Sequence, residues 1–222
     1  MKNYKTGDLF LFPLPTGEWM GARIMLDVYR QCVKPKLIDL GTPLYSFPKA
    51  LLIEVYRPVF STAEDADVDS VLAGVLIPGM FVSIGCFENG VWHIIGHREV
   101  DPAAVEFPET LVNKGARAYF VRGEVELPVE ISFRKIREIN AYKTEYPCGA
   151  LGEIALYQLG RVDEIDKAEI AVKLCDLRRS DLRFSEYRGW IYERLGEEED
   201  QSYHQMSERM GHDLIRFYDG QT

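Results

Sequence analysis

Two histidines four residues apart, in Val91-Trp92-His93-Ile94-Ile95-Gly96-His97, are the first residues of this 222-residue chain whose spacing could hold a metal. On a helix that spacing sets two imidazoles on one face, as a zinc site needs. Asn89-Gly90 stands just before them. That pair supplies the positive φ angles of a two-residue hairpin turn, so the flanking segments are expected to be paired strands with Trp92 buried. Along a strand, four residues span about 13 Å at roughly 3.3 Å each. One ion cannot take both rings, and no third ligand has suitable spacing. The expectation is therefore no metal and no cofactor, with one histidine a hydrogen-bonded core or rim group and the other exposed.

Cys148 leads into Gly149-Ala150-Leu151-Gly152 and a predicted helix. The unpaired N–H groups of a helix start favour a thiolate, which is how cysteine hydrolases activate their nucleophile. With His93 or His97 as the base on an upstream strand, the order loosely resembles that of permuted papain-like hydrolases. This is the enzymatic alternative. It lacks a recognisable polar third member, so the preferred reading of Cys148 is a small buried hydrophobe beside Pro147. No GxSxG, GxGxxG, Walker or HExxH pattern occurs, and no catalytic residue is expected.

Charge is the stronger signal. Acidic residues number 35 and basic residues 26, a formal net charge of −9. That balance argues against a generic nucleic-acid binder and against docking on anionic lipid, and it favours a basic partner. No Lys or Arg occurs from Pro58 to His97, a window that holds Glu64, Asp65, Asp67, Asp69 and Glu88. Carboxylates within a Debye length of about 8 Å act together on an approaching basic surface. Glu64, Asp65, Asp67 and Asp69 are thus the candidate partner-binding residues, with Val68 or Val71 as an adjoining apolar contact. The rival face is Glu197-Glu198-Glu199-Asp200. For either run the plain alternative is a solvated loop.

The elements that must position these groups change character along the chain. Met20, Ala22, Ile24, Leu26 and Val28 alternate with other residues at a period of two, as do Leu51, Ile53 and Val55, and Met80, Val82, Ile84 and Cys86. Short strands at this spacing, with prolines at 13, 15, 35, 43, 48, 58, 78, 102 and 108 in loops and at edges, predict a curled antiparallel sheet or small β-barrel. From about Cys148 the period turns helical. Leu151, Ile154, Ala155 and Leu159 form one stripe, and Phe184, Tyr187, Ile191 and Leu195 a second. Tyr203, Met206, Met210, Leu214 and Phe217 form a third, with Gly160, Gly196 and Gly220 as stops. The predicted class is α+β, with a β-rich unit over 1–135 and a mainly helical segment over 136–222 packed on it. The four cysteines are far apart, so no dense disulfide framework is expected. The start MKNYKTGDLFLF lacks a signal-peptide h-region, and no apolar run approaches the roughly 20 residues of a membrane span. A cytoplasmic setting is expected.

One resemblance adds to this. Tyr4-Lys5-Thr6-Gly7-Asp8-Leu9-Phe10 opens a strand, Trp19-Met20-Gly21-Ala22-Arg23 follows, and Trp92-His93-Ile94-Ile95-Gly96 comes later. Over residues 4–135 this arrangement resembles the immunity protein 26 family of bacterial polymorphic-toxin systems. Gly7, Asp8, Gly21, Arg23, Trp92 and Gly96 carry the likeness. The glycines would mark close backbone approach or sharp bending in a curled sheet, and the tryptophan a core plug. The resemblance implies a non-enzymatic binding protein whose partner is a cognate toxin. The acidic charge extends the expectation to a basic toxin such as a nuclease.

Overall fold

The computed structural model describes residues 4–139, 141–142 and 144–219. Its strands are β1 Asp8–Pro13, β2 Trp19–Asp27, β3 Leu51–Phe60, β4 Val75–Val82, β5 His93–His97, β6 Glu109–Lys114, β7 Arg117–Arg122, β8 Val125–Val129 and β9 Glu145–Tyr146. The helices are α1 Val68–Val71, α2 Gly85–Glu88, α3 Phe133–Ile139, α4 Leu151–Gln158, α5 Glu169–Leu174, α6 Arg188–Leu195 and α7 Tyr203–Arg209. One sheet runs β5-β1-β2-β3-β4-β9 and a second runs β6-β7-β8. All pairings are antiparallel except β4 with β9. The fold is α+β. The larger sheet ends on β5 and β9 and does not close into a barrel.

The period of two in β2 and β3 does what it predicts. Phe10, Phe12, Met20, Ala22, Ile24, Ile53 and Val55 face Leu151, Ile154 and Ala155 of α4 in one core. The opposite face carries Leu9, Leu11 and Tyr56 beneath Val71 of α1. Covered on both sides, β1 and β2 bury nearly every residue. A third core joins Met25, Leu26, Leu52 and Phe81 to the small sheet and to Ile191, Tyr192, Tyr203, Met206 and Phe217. The C-terminal helical segment thus closes two cores whose other halves come from residues before 135.

Several expectations need correction. Asn89-Gly90 makes no hairpin: Asn89 caps α2 in helical conformation, and Gly90, at φ 71°, lets the chain leave the helix. A helix C-terminus and a tight hairpin demand the same positive φ, so the dipeptide alone cannot tell them apart. β5 is still a strand, paired with β1, and Trp92 is buried 4.5 Å from the Phe10 ring and edge-on to Phe87. Ile84 and Cys86 lie beyond the end of β4. Pro58 and Pro78 sit inside β3 and β4, each where the pairing register shifts, so a bulge absorbs the missing N–H. The last two helical stripes break: Phe184 and Phe217 lie on separate short turns, and Gly211, not the undescribed Gly220, follows α7. Gly160 and Gly196 stop their helices as expected, at φ 78° and 68°. Glu169–Leu174, for which no stripe is expected, is helical.

The cysteine reading also changes. Cys86 and Cys148, 62 residues apart, form a disulfide with Cα atoms 5.8 Å apart. It ties α2 to the turn that opens α4. Cys32 and Cys175 are buried thiols. Among the described residues, no helix is long and apolar enough to cross a membrane.

Candidate functional site

The acidic segment between β3 and β4 is not a loose loop. A short turn, Ala63–Asp65, is followed directly by α1. The Asp65 carboxylate accepts the Thr62 N–H at 3.1 Å. Asp67 Oδ1 accepts the N–H groups of Asp69 and Ser70 at 3.0 and 2.8 Å, while Ser70 Oγ accepts the Asp67 N–H at 3.0 Å. Both turns therefore carry a reciprocal capping box. The backbone hydrogen bond from Ser70 leads the causes that hold the Asp67 carboxyl below its usual range.

The segment is also fastened from beneath. Val71 is fully buried among Leu9, Leu11 and Tyr56, and Val68 packs against the same cluster. A Cβ placed on Gly21 would run into the Val71 side chain, and one on Gly96 into Val68. Two strand glycines are thus cut away as seats for two valines, and Glu64, Asp65, Asp67 and Asp69 stand exposed above them. This corrects the sequence reading twice. Val71 is spent on the sheet and is not offered to a partner, while Val68 is half-buried against Gly96. The base-free window is closed from outside by Arg98, whose guanidinium pairs with Asp69 at 2.6 Å.

The other motif residues build the platform. Gly7, at φ 89°, lies where a Cβ would strike the Arg98 carbonyl and the His97 ring. Asp8 is buried; it accepts the Lys5 N–H at 2.9 Å and holds His97 Nδ1 at 2.9 Å. A carboxylate acceptor requires the proton on Nδ1. Arg23 Nη2 lies 3.4 Å from Glu54, which also takes the Tyr56 hydroxyl. Burial, then the Glu54 charge, pushes the Tyr56 phenol up. Gly7, Asp8, Gly21, Arg23 and Gly96 thus gather on the adjacent strands β1, β2 and β5 or at their ends, and Trp92 plugs the core on the far side.

His93 is exposed and edge-on to Trp19 at 5.5 Å. Cys148 is bonded through sulfur to Cys86, and its N–H donates to Ser83 Oγ at 3.0 Å. With His97 on Asp8 and His93 on Trp19, the structure brings neither histidine to the cysteine, and the sulfur is no thiolate. Among the described residues, no three His, Cys, Asp or Glu side chains are grouped to hold a metal. The rival acidic run is half compensated: Glu197 pairs with Arg209 and Glu199 lies 3.4 Å from Arg188, while Glu198 and Asp200 are exposed.

Sequence reasoning missed the buried ionic cluster that fixes the C-terminal segment. Glu109 is fully buried and takes Arg188 at 2.8 Å on each oxygen, plus the Tyr192 hydroxyl at 2.8 Å. Arg122, equally buried, pairs with Glu106 and lies 3.6 Å from Glu109. It missed too a cavity of about 560 Å³ between β9, α4 and α5, lined by Tyr146, Ile154, Cys175 and the Glu153–Lys167 pair. Burial raises the Cys175 thiol there, which makes it a poor nucleophile. No local pattern announces contacts between residues some 80 positions apart.

Compared with protein-family models, curated proteins and solved structures, the chain matches none.

Proposed function

We propose that this chain is an immunity protein that neutralises a cognate bacterial toxin by binding it directly, and that the docking face is the ridge of Glu64, Asp65, Asp67 and Asp69. The observation that carries this reading is the seating of Val68 and Val71 against Gly96 and Gly21. It keeps four exposed carboxylates on a short, twice-capped segment, so little ordering entropy remains to be lost on binding. Acidic ridges of this kind act mainly on association rate and on the choice of a basic partner. A basic nuclease is the toxin class that fits best. The same glycines carry the family resemblance, which supports the reading from the sequence side. Such a protein acts in the cytoplasm, before the toxin reaches its target, and there Cys86 and Cys148 are a reducible pair.

The test is protection. The toxin domain encoded by the reading frame beside this gene is expressed in cells with the parent chain or with a variant carrying Glu64→Gln, Asp65→Asn, Asp67→Asn and Asp69→Asn. Asparagine still caps a helix, so the variant keeps α1. The parent should restore growth and the variant should protect poorly at equal abundance. Full protection by the variant would move the docking face elsewhere. A parent that fails to protect would overturn the immunity reading.

A further inference from the structure

Arginines account for most of the ion pairs in this acidic protein; among the described residues Arg57, Arg117, Arg134 and Arg194 are in none, and so are two that share one concavity. Arg23, Arg98, Arg122, Arg161, Arg183 and Arg188 all meet carboxylates. Arg137 on α3 and Arg179, on the turn Leu177–Arg179 after α5, are exposed and meet none among the described residues. Both line one groove of about 670 Å³ beside the start of α6. Arg179 also borders the 560 Å³ cavity described above. In a chain of net charge −9, two guanidinium groups without carboxylates in a single concavity are a place where a ligand's anion can do what Asp or Glu does elsewhere in the molecule.

The rest of the lining narrows the ligand. Phe184 and Tyr187 are half-buried aromatic rings in the same groove. Of its two glutamates, Glu138 is already taken by Lys135 at 2.7 Å and by the Tyr187 hydroxyl at 2.9 Å. Glu186 is exposed. The third arginine, Arg178, is held by Asp176. Lys135 Nζ lies 4.3 Å over the Tyr187 ring and the Arg183 guanidinium 6.0 Å from the Phe184 ring, so what remains for a ligand is two guanidinium groups that no carboxylate holds and the ring surface those two cations leave open. We propose that this groove binds a phosphate monoester of a ring-bearing molecule, with the phosphoryl group between Arg137 and Arg179 and the ring on Tyr187 and Phe184. A volume of this size takes a mononucleotide-sized ligand. The groove is built by α3 and the 178–187 segment and shares no residue with the acidic ridge, so the two assignments stand or fall separately.

The experiment is calorimetric titration of the full chain with adenosine 5′-monophosphate, inorganic phosphate, adenosine and a Glu-rich peptide. The expected result is saturable one-to-one binding of the nucleotide, weaker binding of phosphate and none of adenosine. Arg137→Gln and Arg179→Gln, both exposed and in no ion pair among the described residues, should melt close to the parent, Arg137 giving up only a 5.8 Å contact over the Phe133 ring, and should each weaken nucleotide binding by about tenfold or more, the usual loss for one charge-assisted contact. Tyr187→Ala should weaken the nucleotide and leave phosphate unchanged. Glu198→Gln is the control and should change neither. No saturable binding of nucleotide or phosphate, or affinity unchanged in both arginine variants, overturns the site. Phosphate binding as tightly as the nucleotide overturns the ring contact. A peptide that binds where the nucleotide does not overturns the ligand class.

Discussion

Alanine at Gly21 is the sharpest perturbation of the acidic ridge, because two effects of opposite sign meet there. Gly21 has ordinary extended backbone, so alanine is sterically allowed by the chain itself and should stabilise by about 0.4–1 kcal/mol through the unfolded state. The new Cβ, however, falls inside the Val71 side chain, which is fully buried and, being β-branched, stiff at χ1. Overpacking of this kind costs about 1–3 kcal/mol. The net expectation is a loss of about 1–2 kcal/mol, or roughly 2–8 °C in Tm for a chain of this length. Val71→Ala alone removes two buried methyl groups, about 1.6 kcal/mol of transfer free energy, with a cavity term that brings it to roughly 2 kcal/mol. In the double variant the Gly21→Ala methyl enters the space left at position 71. The pair should therefore be less damaging than the sum by about 1–2 kcal/mol. Urea melts of the four proteins measure this, with m unchanged as the sign that only stability moved. Strict additivity, or a Gly21→Ala protein more stable than the parent, would refute the seat.

Other outcomes follow from the same structure. Glu109→Ala leaves the buried Arg122 and the half-buried Arg188 beside an empty site and should cost about 3–5 kcal/mol in chemical denaturation, far more than removing an exposed ion pair. Cys148→Ser, or a reductant with the parent, opens a loop of 62 residues and should lower stability by as much as about 4 kcal/mol in the chain-entropy limit, with the reduced parent and the variant melting alike. Burial pushes Tyr4 and Tyr146 up to about 12. Because their unfolded value is about 10, the folded state keeps protons that the unfolded state releases. Their contribution is complete below pH about 10 and is lost as pH rises through about 12, and Tyr146→Phe should flatten that alkaline loss in urea melts. Asp67→Ala should destabilise α1 and Asp67→Asn should not, read by amide exchange at Asp69 and Ser70.

The α+β class and the strand character of β2 and β3 were legible because alternation over nine residues in Trp19–Asp27 has one reading once a face is buried, whereas which strands pair was not. The close-approach role of Gly21 and Gly96 was legible in kind, as glycine inside a strand pattern signals it. What each approaches was not, since Val71 and Val68 arrive from another part of the chain. The same holds for Arg98 on Asp69, which cancels part of a field that looked uncompensated in sequence order. Asn89-Gly90 misled because positive φ at Gly90 serves a helix end as well as a hairpin. The Cys86–Cys148 pairing, the Glu109 cluster and both concavities depend wholly on tertiary placement.

In the proposed function the ridge over Glu64–Asp69 meets the toxin. That contact is tested most directly by the association rate of the purified toxin domain with the parent, the four-carboxylate ridge variant and a Glu197–Asp200 amide variant, at low and high salt. Steering by several exposed charges is worth a factor of about 10 or more in on-rate at low salt and fades as salt rises. The account predicts that the ridge variant associates at least about tenfold more slowly and loses most of its salt dependence, while the Glu197–Asp200 variant behaves as the parent. A ridge variant with the parent's rate and salt slope, beside a slowed Glu197–Asp200 variant, would contradict it.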